Sequence, residues 1–258
     1  MEGLSARQVL DAWERGSRMD PALRCLALLE TGSDAGVARP TWAQAPLGER
    51  DARLLALRAA TIGPVLSCRT SCPSCGTGLE FELEIDALLS RGAAEAPDEF
   101  EYDGWRLRVR PVTSDDVRAL RHHVDATAAR QALLRRTVTV LETPTGHREA
   151  NASVATIDDA PPEILAVAAR QVETIDPGAD RSLELSCASC DERWTDRIDV
   201  GAFVWREFTA LAQRLLCEVH ELACAYGWSE SAILGLSPAR RQAYLELLAP
   251  GAPGEDVP

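Results

Sequence analysis

Two Cys-x-x-Cys pairs, Cys72-Pro73-Ser74-Cys75 and Cys187-Ala188-Ser189-Cys190, are the residues of this 258-residue chain whose types and spacing best suit chemistry. Each pair sets two thiolates roughly 3.5–4 Å apart around a tight turn, which is half of a tetrahedral four-sulfur site. Two halves complete one ion, so the reading is a structural zinc held by Cys72, Cys75, Cys187 and Cys190. The pairs lie about 110 residues apart, far beyond zinc-ribbon spacing, and the ion would therefore join two hairpins distant in sequence. Such a clip closes a long loop, couples metal loading to folding, and would make the sheet one unit.

Other chemistry is open to the same residues. Cys68, Cys72 and Cys75 spell C-x3-C-x2-C, the spacing that holds an iron-sulfur cluster in radical enzymes using S-adenosylmethionine. Against that reading, the residue before the last cysteine is Ser74 where an aromatic is usual, no alternating βα pattern of a barrel follows, and the second pair is left unexplained. Cys68 then becomes a strand residue beside the site and an additional candidate ligand. A dithiol redox role needs each pair at a helix N-terminus, and here strands follow instead. Whether the metal is zinc or iron stays open. Cys217, His220 and Cys224 fall at i, i+3 and i+7 of a helix, hence on one face, where helix packing is the leading reading and a second metal site the alternative. Cys25 reads as core, and His122, His123 and His147 have no adjacent cysteine or carboxylate.

The elements that must position the pairs are legible from periodicity. Ser5 caps a first helix carrying Val9, Leu10 and Trp13; Asp20-Pro21 opens a second that stops at Gly32; a third carries Leu54, Leu55 and Leu57 up to Gly63-Pro64. Leu79 to Asp86 alternates strictly, with Leu79, Phe81, Leu83 and Ile85 on one face and acids on the other, the signature of a half-buried strand. Asp103-Gly104 between Phe100/Tyr102 and Trp105/Leu107/Val109 predicts a hairpin with a type I′ turn. Ser114-Asp115-Asp116 caps a helical region running, with a break, to about Leu141. A polar loop from Glu142 to Pro162 contains the sequon at Asn151, and a helix follows from Glu163 to Ile175. Leu183 and Leu185 lead into Cys187, and Trp194, Ile198 and Val200 follow. A long helix from about Ala202 to Tyr226 carries Phe208, Leu211, Leu215, Leu222 and Tyr226 as its stripe, and two short helices open at Ser229 and Ser237-Pro238.

The fold class is thus α+β: antiparallel hairpins carrying a four-cysteine zinc site, flanked by N-terminal helices and a C-terminal helical segment. The two segments of helix, strand, Cys-x-x-Cys, strand and Ile-Asp read as a duplication. The organisation is N-terminal helices over 1–46, a duplicated helix/hairpin core over 47–200 with an inserted hairpin and helices, a C-terminal helical segment over 201–248, and a disordered tail over 249–258.

Composition narrows function by exclusion. Hydrophobic residues make up 46% and charged residues 26%, as in folded soluble proteins. The net charge of −13 repels phosphate backbones and anionic lipid. All 27 basic residues are arginine, which removes Walker A loops, protein kinases and Schiff-base enzymes, each of which needs a lysine. The start, MEGLSARQVLDAWERG, lacks a basic and an apolar leader region, and no stretch of about 18 apolar residues occurs, so a cytoplasmic location off the membrane is expected. No G-x-S-x-G, H-E-x-x-H, G-x-G-x-x-G or EF-hand loop is present, which favours a non-enzyme without a small-molecule substrate. The terminal short helices with Arg240 and Arg241 could form a helix-turn-helix, making a zinc-dependent DNA-binding regulator the rival reading.

The two cysteine hairpins, the long helix with Trp205, Tyr226-Gly227-Trp228, Ile233-Leu234-Gly235-Leu236-Ser237, and Arg240-Arg241-Gln242-Ala243-Tyr244-Leu245-Glu246-Leu247 resemble the baseplate hub assembly chaperone family of contractile phage tails and related contractile injection systems. The resemblance spans roughly Leu47 to Leu248, and its distinctive parts are the cysteine pairs and the C-terminal helices. It implies a cytoplasmic, non-catalytic assembly factor or minor structural component whose partners are baseplate or tail proteins. It carries over only Cys72, Cys75, Cys187 and Cys190, as metal ligands.

Overall fold

The computed structural model describes residues 2–32, 41–89, 97–144 and 156–248. The expected loop over 142–162 lies partly outside these residues, as does the stretch after Gly32 in the expected N-terminal segment, and the Asn151 sequon and the tail lie wholly outside them.

The chain opens with α1 (Ala6–Ser17), started by a capping box in which the Ser5 hydroxyl accepts from the Gln8 amide and the Ser5 amide donates to the Gln8 carboxamide. The expected second helix begins later than Asp20-Pro21. Residues 21–25 turn through successive i to i−3 bonds before α2 (Leu26–Gly32), because the Asp20 carboxylate binds the Ala22 amide in a local turn. After α3 (Leu47–Thr61), β1 (Val65–Ser71) and β2 (Gly78–Glu84) form the first cysteine hairpin, with Cys68 opposite Phe81. The alternation holds through Glu84, where Leu79, Phe81 and Leu83 are half-buried and the glutamates exposed. Ile85 and Asp86 leave the expected strand and start α4 (Ile85–Leu89), which turns Ile85 and Leu88 into the main core.

The inserted segment forms β3 (Glu99–Tyr102), β4 (Trp105–Val109), α5 (Ser114–Leu120), α6 (Ala126–Thr137), β5 (Val138–Glu142) and α7 (Pro162–Ile175). Asp103 and Gly104 both have positive φ, 48° and 76°, as the type I′ turn requires. Two expectations are corrected here. The helix expected to run to Leu141 stops at Thr137, and β-branched Val138, Thr139 and Val140 pass straight into β5, which pairs with β4 in a three-stranded antiparallel sheet. The N-cap is Thr113 rather than Ser114, with Asp116 returning the capping box.

Asp116 is fully buried and holds this unit closed. Its carboxylate accepts from the Arg110 guanidinium at 2.7 and 2.9 Å, from Arg136 Nε at 2.7 Å, and from the Thr113 amide and hydroxyl. Burial by itself would push this carboxyl up, but the two guanidiniums and Thr113 overcome it and hold it well below the usual carboxylate range. A depressed carboxylate contributes stability above its unfolded value near 4 and loses it as pH falls through the lower folded value. Asp116→Asn should therefore cost about 1.5–3 kcal/mol in urea melts at pH 7, with a gap to the native protein that stays flat down to about pH 4 and narrows below it.

The chain ends in β6 (Ser182–Ser186), β7 (Arg193–Arg197), α8 (Val200–Tyr226), α9 (Glu230–Leu234) and α10 (Pro238–Glu246). Two apolar cores result. One gathers α1–α4, β1 and α8 around Leu26, Leu54, Leu57, Leu66 and Phe208; the other packs β4 and β5 against α6 and α7 through Leu107, Val140, Leu134, Ile164 and Ala168. The helix preceding the second hairpin, α7, thus belongs to the inserted core, whereas its expected duplicate α3 lies in the main one. Gly16 permits close packing of α1 on α8: a Cβ there would sit 2.4 Å from the Trp205 ring. At the C-terminal end, Tyr226 and Trp228 stack at 4.8 Å and Tyr244 meets both edge-on, fastening α10 to α8.

Candidate metal centre

Each hairpin turns through the same hydrogen bonds. The Cys72 amide donates to the Thr77 carbonyl and the Gly76 amide to the Cys72 carbonyl, both at 2.9 Å; Cys187 donates to the Glu192 carbonyl at 2.9 Å and Asp191 to the Cys187 carbonyl at 3.0 Å. Both turns need a left-handed residue directly after the second cysteine: Gly76 at φ 74° in one, Asp191 at φ 57° in the other. Glycine takes that conformation freely, whereas aspartate pays roughly 1 kcal/mol or more for it. Asp191→Gly should stabilise the protein by about 0.5–1 kcal/mol in denaturant melts, and Gly76→Ala should destabilise it.

The turns bring all four sulfurs together. The ligand atoms of Cys72, Cys75, Cys187 and Cys190 lie within 4.8 Å of one another, with Cys72 to Cys190 at 3.7 Å and Cys75 to Cys187 at 3.6 Å. These contacts cross between the hairpins, and each cysteine of one pair meets one of the other. Metal–sulfur bonds of about 2.3 Å in a tetrahedron put neighbouring sulfurs about 3.8 Å apart, so the observed spacing fits one ion. It is far longer than the roughly 2.05 Å of a disulfide, and all eight cysteines are free. Cys72 and Cys187 are buried while Cys75 and Cys190 face outward.

Electrostatics make the same demand. The Thr77 hydroxyl, 3.2 Å from the Cys75 sulfur, and the Thr77 amide stabilise that thiolate and hold Cys75 down to about 6. Against the Glu192 amide, which favours its thiolate, Cys190 is pushed up to about 12 by Cys75, by desolvation and by the other two sulfurs. The Cys75 thiolate forms readily and that of Cys190 is disfavoured beside it, a repulsion that a bound cation would relieve. The Ser189 amide, 3.4 Å from the Cys187 sulfur, is oriented to support it. Thr77, Ser189 and Asp191 are contributors that spacing alone did not mark; Gly76 directly after a Cys-x-x-Cys was the one available signal.

The hairpins are two separate two-stranded sheets, so it is the cysteine group rather than strand pairing that joins them. Outside the cysteines they meet where the Thr70 hydroxyl donates to the Asp196 carboxylate at 3.1 Å. Cys68 does not join the group. It lies buried on β1 in the main core, where burial pushes its thiol up, and so the C-x3-C-x2-C triplet does not converge. Cys25 is core as expected, pushed up to about 11 by burial.

Cys217, His220 and Cys224 correct the packing expectation: all three are exposed. The buried stripe of α8 runs through Val204, Phe208, Ala212, Leu215 and Leu222, and Cys217, nine residues after Phe208, is half a rotation away at 100° per residue. Among the described residues the four hairpin cysteines are the one group of three or more candidate ligands. Arg241 is buried too, its guanidinium bonded to Glu218 at 2.8 Å and to the Leu236 carbonyl, so it is not offered to a phosphate backbone. Among the described residues no helix is long and apolar enough to cross a membrane.

Comparison of the chain with family models, with curated proteins and with solved structures gives no match.

Proposed function

We propose that this protein is a non-catalytic, zinc-binding assembly chaperone or minor structural component of a contractile tail or injection-system baseplate, acting in the cytoplasm on baseplate or tail proteins. The observation that carries the non-catalytic part is the completeness of the ligand set. The protein supplies all four tetrahedral positions from two buried and two outward cysteines, leaving none for a water or substrate, which is the pattern of a structural rather than a catalytic centre. Four thiolates and no carboxylate favour zinc over magnesium or calcium. The partner class rests on the resemblance of the cysteine hairpins and of the segment from Tyr226 to Leu247. Its aromatic residues Tyr226, Trp228 and Tyr244 fasten the terminal helices, which leaves Leu247 and Leu248 on the surface, 55% and 39% exposed.

The test is co-expression of a tagged chain with the tube, hub and wedge proteins of a contractile particle, followed by size exclusion. Co-elution with one of them supports the reading, and elution alone in every pairing overturns the partner class. A colourless protein holding one zinc per chain supports the metal assignment, and iron overturns it.

A further inference from the structure

The outer face of α8 carries a second set of metal-ligating side chains. His220 and Cys224, one helical turn apart, are exposed, and both imidazole nitrogens lie 3.9 Å from the Cys224 sulfur. In a tetrahedral site with Zn–S near 2.3 Å and Zn–N near 2.0 Å, sulfur and nitrogen are about 3.5 Å apart, close to the observed spacing, and turning the exposed imidazole to aim one nitrogen would set both side chains on one ion. The third candidate, Cys217, is on the same face but not within ligand reach of both. One chain therefore presents two ligands to an ion that takes four.

The same face is open along the length of α8. Arg206, Ala210, Gln213, Cys217, His220 and Cys224 are all exposed and, at alternating spacings of four and three, line one face of the helix, so nothing among the described residues covers the His220/Cys224 pair. Ala210, Cys217 and Cys224 are small enough for close approach, and Leu216, 40% exposed, adds apolar surface at its border.

We propose that His220 and Cys224 form a half-site for a soft divalent cation such as zinc, completed by the same pair from a second copy of this chain across a twofold axis. The bridging ion sits between two strongly acidic chains and offsets part of their repulsion. This centre is separate from the four-cysteine cluster and does not depend on the partner class proposed above.

Zinc titration of the purified full-length protein, with stoichiometry by elemental analysis and mass by sedimentation, tests it. The native chain should reach 1.5 zinc per chain, one in the four-cysteine centre and half in the bridge, and should become a dimer as the last half-equivalent binds. The exposed double variant His220→Ala/Cys224→Ala should stop at one zinc per chain and stay monomeric, with the thermal midpoint that the native chain has at one zinc per chain. A native chain that stops at one zinc as a monomer overturns the proposal. So does a second full equivalent on a monomer, or a dimer that persists in the double variant.

Discussion

Replacing Cys187 with serine is expected to strip the four-cysteine centre of its metal and to lower the thermal midpoint by about 8–16 °C. Loss of a structural metal belongs to the few single changes that cost more than about 4 kcal/mol, and for a chain of this size each kcal/mol moves the midpoint by roughly 2–4 °C. The effect is large because of where the ligands come from. Cys187 is one of the two buried cysteines of the cluster, 3.6 Å from the Cys75 sulfur, and the two are 112 positions apart in sequence. The hairpins share no strand pairing, so beyond this cluster their direct bond is the Thr70 to Asp196 contact. Calorimetry and elemental analysis of Cys187→Ser beside Cys68→Ala check the prediction. The second variant removes a buried thiol outside the cluster and should keep one metal per chain. Equal metal content in both variants, or a Cys187→Ser midpoint within 2 °C of the native one as an order-of-magnitude threshold, would sink it.

The second large effect concerns the clamp between α3 and α8. The Arg58 guanidinium, 4% exposed, donates to both Glu207 oxygens at 2.8 and 2.7 Å and also to the Gly63 carbonyl at the approach to the first hairpin. Glu207→Ala should cost about 3–5 kcal/mol, because it leaves a buried guanidinium without its counter-charge. The double variant Arg58→Met/Glu207→Leu should recover most of that loss, since apolar side chains of similar volume avoid the desolvation cost altogether. Urea unfolding of the single and double variants measures the coupling, and additive losses would show that the pair does not act as a unit.

These two joints explain what could and could not be read from the chain. The cysteine pairs were legible because a tetrahedral thiolate site imposes residue type and local spacing, and both turns enforce the same hydrogen bonds in a short stretch. The hairpin at Asp103-Gly104 was legible because positive φ at two successive positions admits few residues. Strand β5 was hidden: no glycine or proline separates it from α6, and the β preference of Val138–Val140 is realised only because β4 offers an edge. Ile85 likewise continued an alternating pattern, and only the main core decided that it should start a helix. Cys217, His220 and Cys224 shared a face on paper, but which face of α8 is buried depends on what packs against it.

Local chemistry, then, determined the α+β class, the four candidate ligands and most helix starts, because caps, turns and alternation act over a few residues. Tertiary structure decided that the two pairs meet, that Cys68 stays out, and that α7 joins the inserted core. It also buried Arg58 and Asp116 with their partners. Those outcomes depend on which surfaces are removed from water together, and sequence spacing does not encode that across a hundred residues.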